Sequence, residues 1–469
     1  MIQHDKRNRY LSLLPVVFTL AWPTMLEELM QTAVQYIDTA MVGRLGTDAT
    51  AAVGSTVTVN WLIGTTVYAF GIGFLAFISQ ALGAGEREKA RRASAQSVLM
   101  VLLTGGLFTL LTAALSGYVP VWMQVEERLR PLAARYFLIV YLPMLPRAAS
   151  VIFGTVLRSA GDTRTPMRVG VGVNALNVLL NFLLIYSPRT VTVLGRSVTL
   201  WGAGLGVTGA AIASAVSFTL GGAAITIALI RHKTVSPRGF PIRPDKAILR
   251  PIFRVSLPNM AQRFTTSLGY VVFASMINAL GDVSTAAHTV ANTVESAFYI
   301  PGYGMQAAAA TLTGNAIGMR DRQRQKDLSV LIVLLEVAMM VVTGGLLFAF
   351  APQMVRLFSH DPPVIALGST VLRMVALSEP VFGIAIVVEG MLQGAGETKV
   401  PFLINVIGMW GVRILGTFLC TRFLSGGLIS AWACMIAHNI LLCILFVVYY
   451  RKLERKAFYG ENSHLSGIL

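Results

Sequence analysis

The sequence predicts an all-α integral membrane protein of twelve transmembrane helices, arranged as two six-helix lobes related by a parallel internal repeat. Three observations carry this. Of 469 residues, 55% are hydrophobic and only 13% charged, where an ordinary soluble domain has about 25% charged residues. Apolar stretches of membrane-spanning length alternate with Gly, Pro and charge clusters along the whole chain. Finally, the second half repeats the first at a constant offset of 235 positions.

The spans fall near 12–42, 50–81, 93–117, 132–157, 166–187 and 204–230, then 250–279, 285–317, 328–351, 365–392, 402–421 and 428–449. The first apolar run follows the basic "MIQHDKRNRY". It is too long for a signal peptide and shows no small-residue cleavage site, so it reads as a membrane helix. With both termini inside, cytoplasmic segments carry 26 Lys and Arg and the opposite side carries 8. The positive-inside rule fixes that orientation, and the net charge of +16 reports topology rather than a nucleic-acid site.

The repeat is plainest where "LRSAGDTRTP" (157–166) returns as "LQGAGETKVP" (392–401). The same offset pairs Pro23 with Pro258, Met25 with Met260, Leu45-Gly46 with Leu280-Gly281, and Gly83 with Gly318. Six spans per copy is an even number, so both copies enter from the same side and are related by an axis along the membrane normal. The domains expected are lobes 1–230 and 251–469, with the Pro-rich, basic segment 231–250 as a cytoplasmic linker. Two lobes of this kind predict alternating access.

The candidate chemistry sits in "EELMQTAVQYIDTAMVG" (27–43). Glu27, Gln31, Gln35 and Asp38 are spaced 4, 4 and 3, a polar stripe about 16 Å long on one helix face. A carboxylate at mid-span costs roughly 2.5 to 3.5 kcal/mol on insertion scales. Asp38 is therefore a coupling-ion candidate, loading a proton or, with oxygen ligands nearby, sodium. The bland reading of Asp38 is snorkelling to the outer surface beside Gly43 and Arg44. In the fifth span Asn174, Asn177 and Asn181 share a face, either as partners of Asp38 or as amide glue between helices. Pro23 lies about four turns before Asp38 and lets the first helix bend, as a hinge or as a proline passively tolerated. The second lobe has Phe273 at the position matching Asp38. It carries Arg263, His288, Glu295, Glu336, Glu379, Glu389 and Arg413 in apolar context, where Glu–Arg ion pairs are the leading expectation.

Other signals point away from chemistry. "GLGVTG" (204–209) opens a membrane span with no preceding strand, so small-residue helix packing explains it. "GAGETK" (394–399) lacks the spacing of a phosphate loop. Cys420, Cys434 and Cys443 show no CxxC spacing and read as small buried hydrophobes. The absence of a nucleophile–base pair and of a soluble domain argues against an enzyme, and no cofactor is expected.

Taken together, "WPTMLEELMQTAVQYIDTAMVGRLGTDATAAVG", the paired "LRSAGDTRTP" and "LQGAGETKVP" and the six-plus-six layout resemble the multidrug and toxic compound extrusion (MATE) family over nearly the whole chain. The resemblance implies export of amphipathic or cationic organic compounds, driven by inward flow of protons or sodium, by a monomeric carrier of the bacterial inner membrane with both termini cytoplasmic. Asp38 matches the acidic first-helix residue of the DinF-like branch. The NorM-like branch has an acid in the seventh helix, and 257–277 has none. The resemblance also implies an ion-coupling set of Asp38, Asn177, position 181 and the sixth-helix hydroxyl Ser214. Glu27, Gln31, Gln35 and Asn174 would then line the substrate path, and Asp38 and Asn177 would be metal ligands only if sodium couples. Position 181 departs from the family, being Asn where relatives carry Asp. The loss of one carboxylate favours protons over sodium. A lipid-linked oligosaccharide flippase of the same superfamily is the alternative.

Overall fold

Glycines that can enter the left-handed backbone region end the helices at repeat-related places. Gly46 and Gly281 adopt φ of 112° and 101°, and Gly161 and Gly396 adopt 83° and 81°, each pair 235 positions apart. In the third such pair, Gly85 (φ 78°) corresponds to Arg320, which takes φ 54° without being glycine. The internal repeat is thus written into the backbone as well as the sequence.

The computed structural model describes residues 2–193 and 196–459, so residues 460–469, the end of the second lobe as read from sequence, lie outside the described residues. The helices of the first copy are α1 (Ile2–Gly43), α2 (Thr47–Gly54), α3 (Val57–Gly83), α4 (Arg87–Leu115), α5 (Val119–Trp122), α6 (Arg130–Tyr141), α7 (Met144–Ser159), α8 (Arg164–Leu184) and α9 (Gly206–Arg231). Those of the second are α10 (Lys246–Asn278), α11 (Asp282–Gly318), α12 (Arg322–Arg356), α13 (Pro362–Ala376), α14 (Glu379–Gly394), α15 (Lys399–Val406), α16 (Leu415–Phe423) and α17 (Leu428–Tyr459). A π-helical segment, Ile407–Ile414, joins α15 to α16.

Among the described residues, eight helical rods are long and apolar enough to cross a membrane, and two bent pairs bring the number to ten. The long helices α10 and α11, with 33 and 37 residues, make the total consistent with twelve. Several spans expected to be single are broken. The fourth bends by 47° between α6 and α7 and the tenth by 55° between α13 and α14. Both breaks fall at matching positions, Leu142-Pro143 and Leu377-Ser378, each followed by a proline near the next helix start. The second span is interrupted at Ser55-Thr56, whereas its counterpart α11 is continuous. Between α8 and α9 the chain forms an antiparallel hairpin, β1 (Arg189–Val193) with β2 (Arg196–Leu200), where the sequence reading had only a loop.

The chain folds as two compact units. One consists of residues 29–74 and 87–249, the other of residues 1–28, 75–86 and 250–469. In the first unit the cluster of Val42, Ala49, Ile185, Val207 and Ala210 joins α1, α2, α8 and α9. The segment read as a linker packs on α4 instead of hanging free. Arg91 donates from Nε and Nη2 to the Ser236 and Arg238 carbonyls at 3.0 and 3.1 Å, and Gln96 clasps the Arg243 carbonyl and the Asp245 amide. The segment's last residues, from Lys246, are already helical in α10.

In the second unit, Val17, Leu20 and Ala21 of α1 share a core with α11, α12, α14 and α17. Small residues permit this packing. A methyl group added to Gly83 would collide with the Asn315 carbonyl oxygen, and one added to Gly318 would collide with the Gln80 carbonyl oxygen. The offset of 235 maps Gly83 onto Gly318 and Gln80 onto position 315, so α3 and α11 cross through a reciprocal, two-fold-like contact. Gln80 Nε2 also donates to the Gly394 carbonyl at 2.9 Å, and Thr24 Oγ1 to the Gly304 carbonyl at 2.8 Å.

Candidate functional site: a carboxylate among amides

Within the first unit, α8 and α9 pack side by side and α1 brings its last turns against them. Asparagines at positions 177 and 181 of α8, one turn apart, share the face turned inward. They are 6% and 1% exposed. Asp38, half-buried on α1, accepts from Asn181 Nδ2 at 2.6 Å. Tyr186, just past α8, donates from its hydroxyl to the Met41 carbonyl at 3.0 Å and fastens the two elements together near this bond. The interaction meets the requirement that a polar group in a membrane helix find a partner inside the bundle.

The amide of Asn177 stands between Asp38 and Ser214 of α9, and its two orientations have different chemical meanings. With nitrogen toward Asp38, it donates to both carboxylate oxygens at 3.0 and 3.1 Å, and its oxygen accepts from Ser214 Oγ at 3.3 Å. With oxygen toward Asp38, it accepts from Asn181 Nδ2 at 3.2 Å and donates to Ser214 Oγ at 3.3 Å. The second arrangement sets two oxygens against each other unless Asp38 carries a proton to donate. The arrangement with nitrogen toward Asp38 is the one that satisfies an ionised carboxylate. Asn181 Oδ1 is buried with no hydrogen-bond partner among the described residues, a further oxygen lone pair within the set.

The structure thus brings Asp38, Asn177, Asn181 and Ser214 together, as the sequence reading expected of the ion-coupling set. Asn174, one turn before Asn177, is half-buried and makes no hydrogen bond to this set among the described residues. Along α1, Gln31 and Gln35 are exposed while Glu27 and Asp38 are half-buried. Pro23 is buried inside an unbroken α1. Tyr186 was missed by sequence reasoning, because a tyrosine at a helix end carries no signal of the carbonyl it will meet.

The second unit corrects the expectation of Glu–Arg ion pairs in one respect. Arg413 forms no ion pair among the described residues; its guanidinium lies over the rings of Phe273 and Tyr270, at 4.3 and 4.9 Å from their centroids. Glu389 instead accepts from Gln262 at 2.6 Å and from Gln393 at 3.3 Å.

A tandem repeat of six-helix blocks, with a carboxylate held among amides on one spanning helix, has the layout of a multi-pass membrane transporter. The chain belongs to the MatE family: the family profile matches it twice, over residues 23–183 and 258–419. The two matches begin 235 positions apart, the offset seen in the sequence. Members of this family are transporters and not enzymes. The chain is similar to the "Probable multidrug resistance protein NorM" of Thermotoga maritima, 27% identical over 93% of this chain and 92% of that one. It is also similar to the "Probable multidrug resistance protein YoeA" of Bacillus subtilis, 23% identical over 92% of each chain. Among solved structures, a MATE protein in complex with MaD3S superposes with a TM-score of 0.87 at 22% identity, covering 95% of this chain and 97% of that one. A MOP superfamily transporter from Pyrococcus furiosus gives 0.86 at 21% identity, covering 95% and 96%.

Proposed function

We propose that the chain is a secondary active multidrug exporter of the bacterial inner membrane, an antiporter that moves amphipathic or cationic organic compounds out of the cytoplasm in exchange for protons. The relatives named for multidrug resistance support the substrate class. The observation that carries the coupling is Asp38 and its amides. This carboxylate is held by Asn181 and stands within hydrogen-bond distance of the Asn177 amide. Protonation of Asp38 cancels the charge that two amides stabilise, and Asn177 then turns toward the Ser214 arrangement. One proton is thereby converted into a changed contact between α1 and α8.

Protons fit better than sodium here. A sodium ion needs several oxygen ligands and benefits from each added negative charge. Position 181 supplies an amide where a second carboxylate would strengthen such a site. Pro23 serves as the hinge that lets α1 respond, since it lacks the N–H that would brace the preceding turn. Lobes 1–230 and 251–469 carry the site alternately to one side and the other, and the carrier works as a monomer with both termini cytoplasmic. Gln31 and Gln35, exposed on α1, offer neutral hydrogen bonds to substrate, with Glu27 and Asn174 nearby in sequence register.

The test is drug susceptibility of an exporter-deficient bacterium expressing the wild type or Asp38→Asn. The wild type confers resistance to aromatic cations and Asp38→Asn, at equal expression, does not. Equal resistance from the two removes Asp38 from the coupling step.

A further inference from the structure

The repeat offset carries Asp38 onto Phe273, Asn177 onto Val412 and Asn181 onto Gly416, so the second unit lacks the carboxylate and both amides of the first unit's set. What stands there is a cation. Arg413, placed by the π-helical segment and 3% exposed, lies on the face of Phe273 itself. Such π insertions recur at functional places because they re-aim one side chain without ending the helix.

Three carboxyl groups are buried in the same unit. Glu295 of α11, Glu336 of α12 and Glu379 of α14 are 4%, 0% and 1% exposed. Among the described residues, both oxygens of Glu336 and both of Glu379 are without a hydrogen-bond partner. Their positions converge. A methyl on Gly302 of α11 or Gly383 of α14 would come within 2.7 or 3.0 Å of Glu336 Oε1, so that carboxyl sits between those two helices. Glu379 lies one turn before Gly383, and a methyl on Gly344 of α12 would come within 3.3 Å of its Cβ, so it too stands against α12. His288 packs edge-on to Phe273, the ring that Arg413 covers, His438 packs on Gly408 of the π-helical segment, and Tyr299 packs edge-on to Phe382 of α14. From α13, Arg373 is exposed and lies over Phe348, away from these groups.

Arg413 makes no ion pair with any of the three carboxyl groups among the described residues. Glu336 and Glu379, buried and without a donor among the described residues, are not tolerated as anions, because a buried charge needs a partner or hydrogen bonds to replace its water. We propose that Glu336 and Glu379, in the unit that also buries Glu295 and Arg413, form a second proton-holding site in which each keeps a removable proton while the helices are closed around it. No group of three acidic, His or Cys side chains stands at metal-holding geometry among the described residues, and the ligand is the proton itself. When rearrangement admits water or turns Arg413 off Phe273, the acids ionise and their protons leave. The step is a simple transfer from carboxylic acid to water. This inference rests on the exporter reading for its role in coupling, though not for the protonation itself.

The test uses the purified full chain in lipid nanodiscs and in proteoliposomes. Infrared spectra of the wild type at neutral pH should contain two carboxylic-acid carbonyl bands, of which Glu336→Gln removes one and Glu379→Gln the other. In proteoliposomes loaded with ethidium, the number of protons exchanged per ethidium moved should fall in the double variant. Two outcomes overturn the proposal: no band lost in either variant, which means both groups are ionised, or both bands lost with the proton count unchanged. A wild type that moves no ethidium under any gradient refutes the exporter reading, and the bands and their loss with rising pH still decide whether the site holds protons. Since the wild-type bands are read without substitution, a variant that fails to fold leaves the first readout intact.

Discussion

At the scale of single residues, the account turns on which charges are present and which are missing. Asn181 donates to Asp38 where a second carboxylate would repel it. Changing Asn181 to Asp restores an oxygen with charge beside Asn177 and Ser214. The expected outcome is transport that becomes stimulated by sodium, measured as ethidium efflux with and without a sodium gradient, whereas the wild type is indifferent. A residue of a different kind is Arg320, at φ 54° where the first copy has Gly85. A left-handed non-glycine residue costs on the order of 1 kcal/mol, so Arg320→Gly should raise thermal stability by about that amount, read as an upward shift in melting temperature of the solubilised protein. Asp38 and its two asparagine partners were legible in the sequence because helical spacing put each on a single face. Ser214 was legible only through family resemblance, since a lone serine among alanines carries no pattern of its own.

At the scale of elements, the helices appear where the apolar stretches put them, but their interruptions do not follow from hydropathy. The 47° and 55° bends at matching positions are set by local backbone chemistry around proline, which an apolar window averages away. The hairpin Arg189–Leu200 was likewise invisible as structure, being short and polar among long helices. The linker's attachment to α4 depends on side chains far away in sequence, Arg91 and Gln96 reaching carbonyls about 145 residues on. The reciprocal crossing of α3 and α11 was half legible. The pair Gly83 and Gly318 was found by the repeat, yet only the fold shows each glycine facing a carbonyl of the other helix. Overpacking such a contact typically costs about 1 to 3 kcal/mol. Gly318→Val should therefore destabilise the protein by that order, seen as a lowered melting temperature, while Gly345→Val should be close to neutral because nothing lies within 4 Å of a Cβ there.

At the scale of the whole molecule, the chain is one six-span design used twice and then specialised. The offset of 235 survives in the turn glycines, in the bent spans and in the two family-profile matches. It fails at the sites. The first unit keeps a carboxylate among amides, and the matching place in the second unit holds Phe273 under the guanidinium of Arg413. Duplicated backbones with divergent charge let the two copies hold different sets of polar groups on one scaffold. Sequence could show the loss of Asp38 in the second copy, but the stacking of Arg413 depends on a π-helical turn that no periodicity announces. The central claim, that proton binding at Asp38 drives export, is tested most directly by ethidium transport in sodium-free proteoliposomes under an imposed pH gradient. The account predicts transport by the wild type and loss of gradient-driven transport in Asp38→Asn. Strict dependence of the wild type on sodium, or an Asp38→Asn variant that still follows the pH gradient, would contradict it.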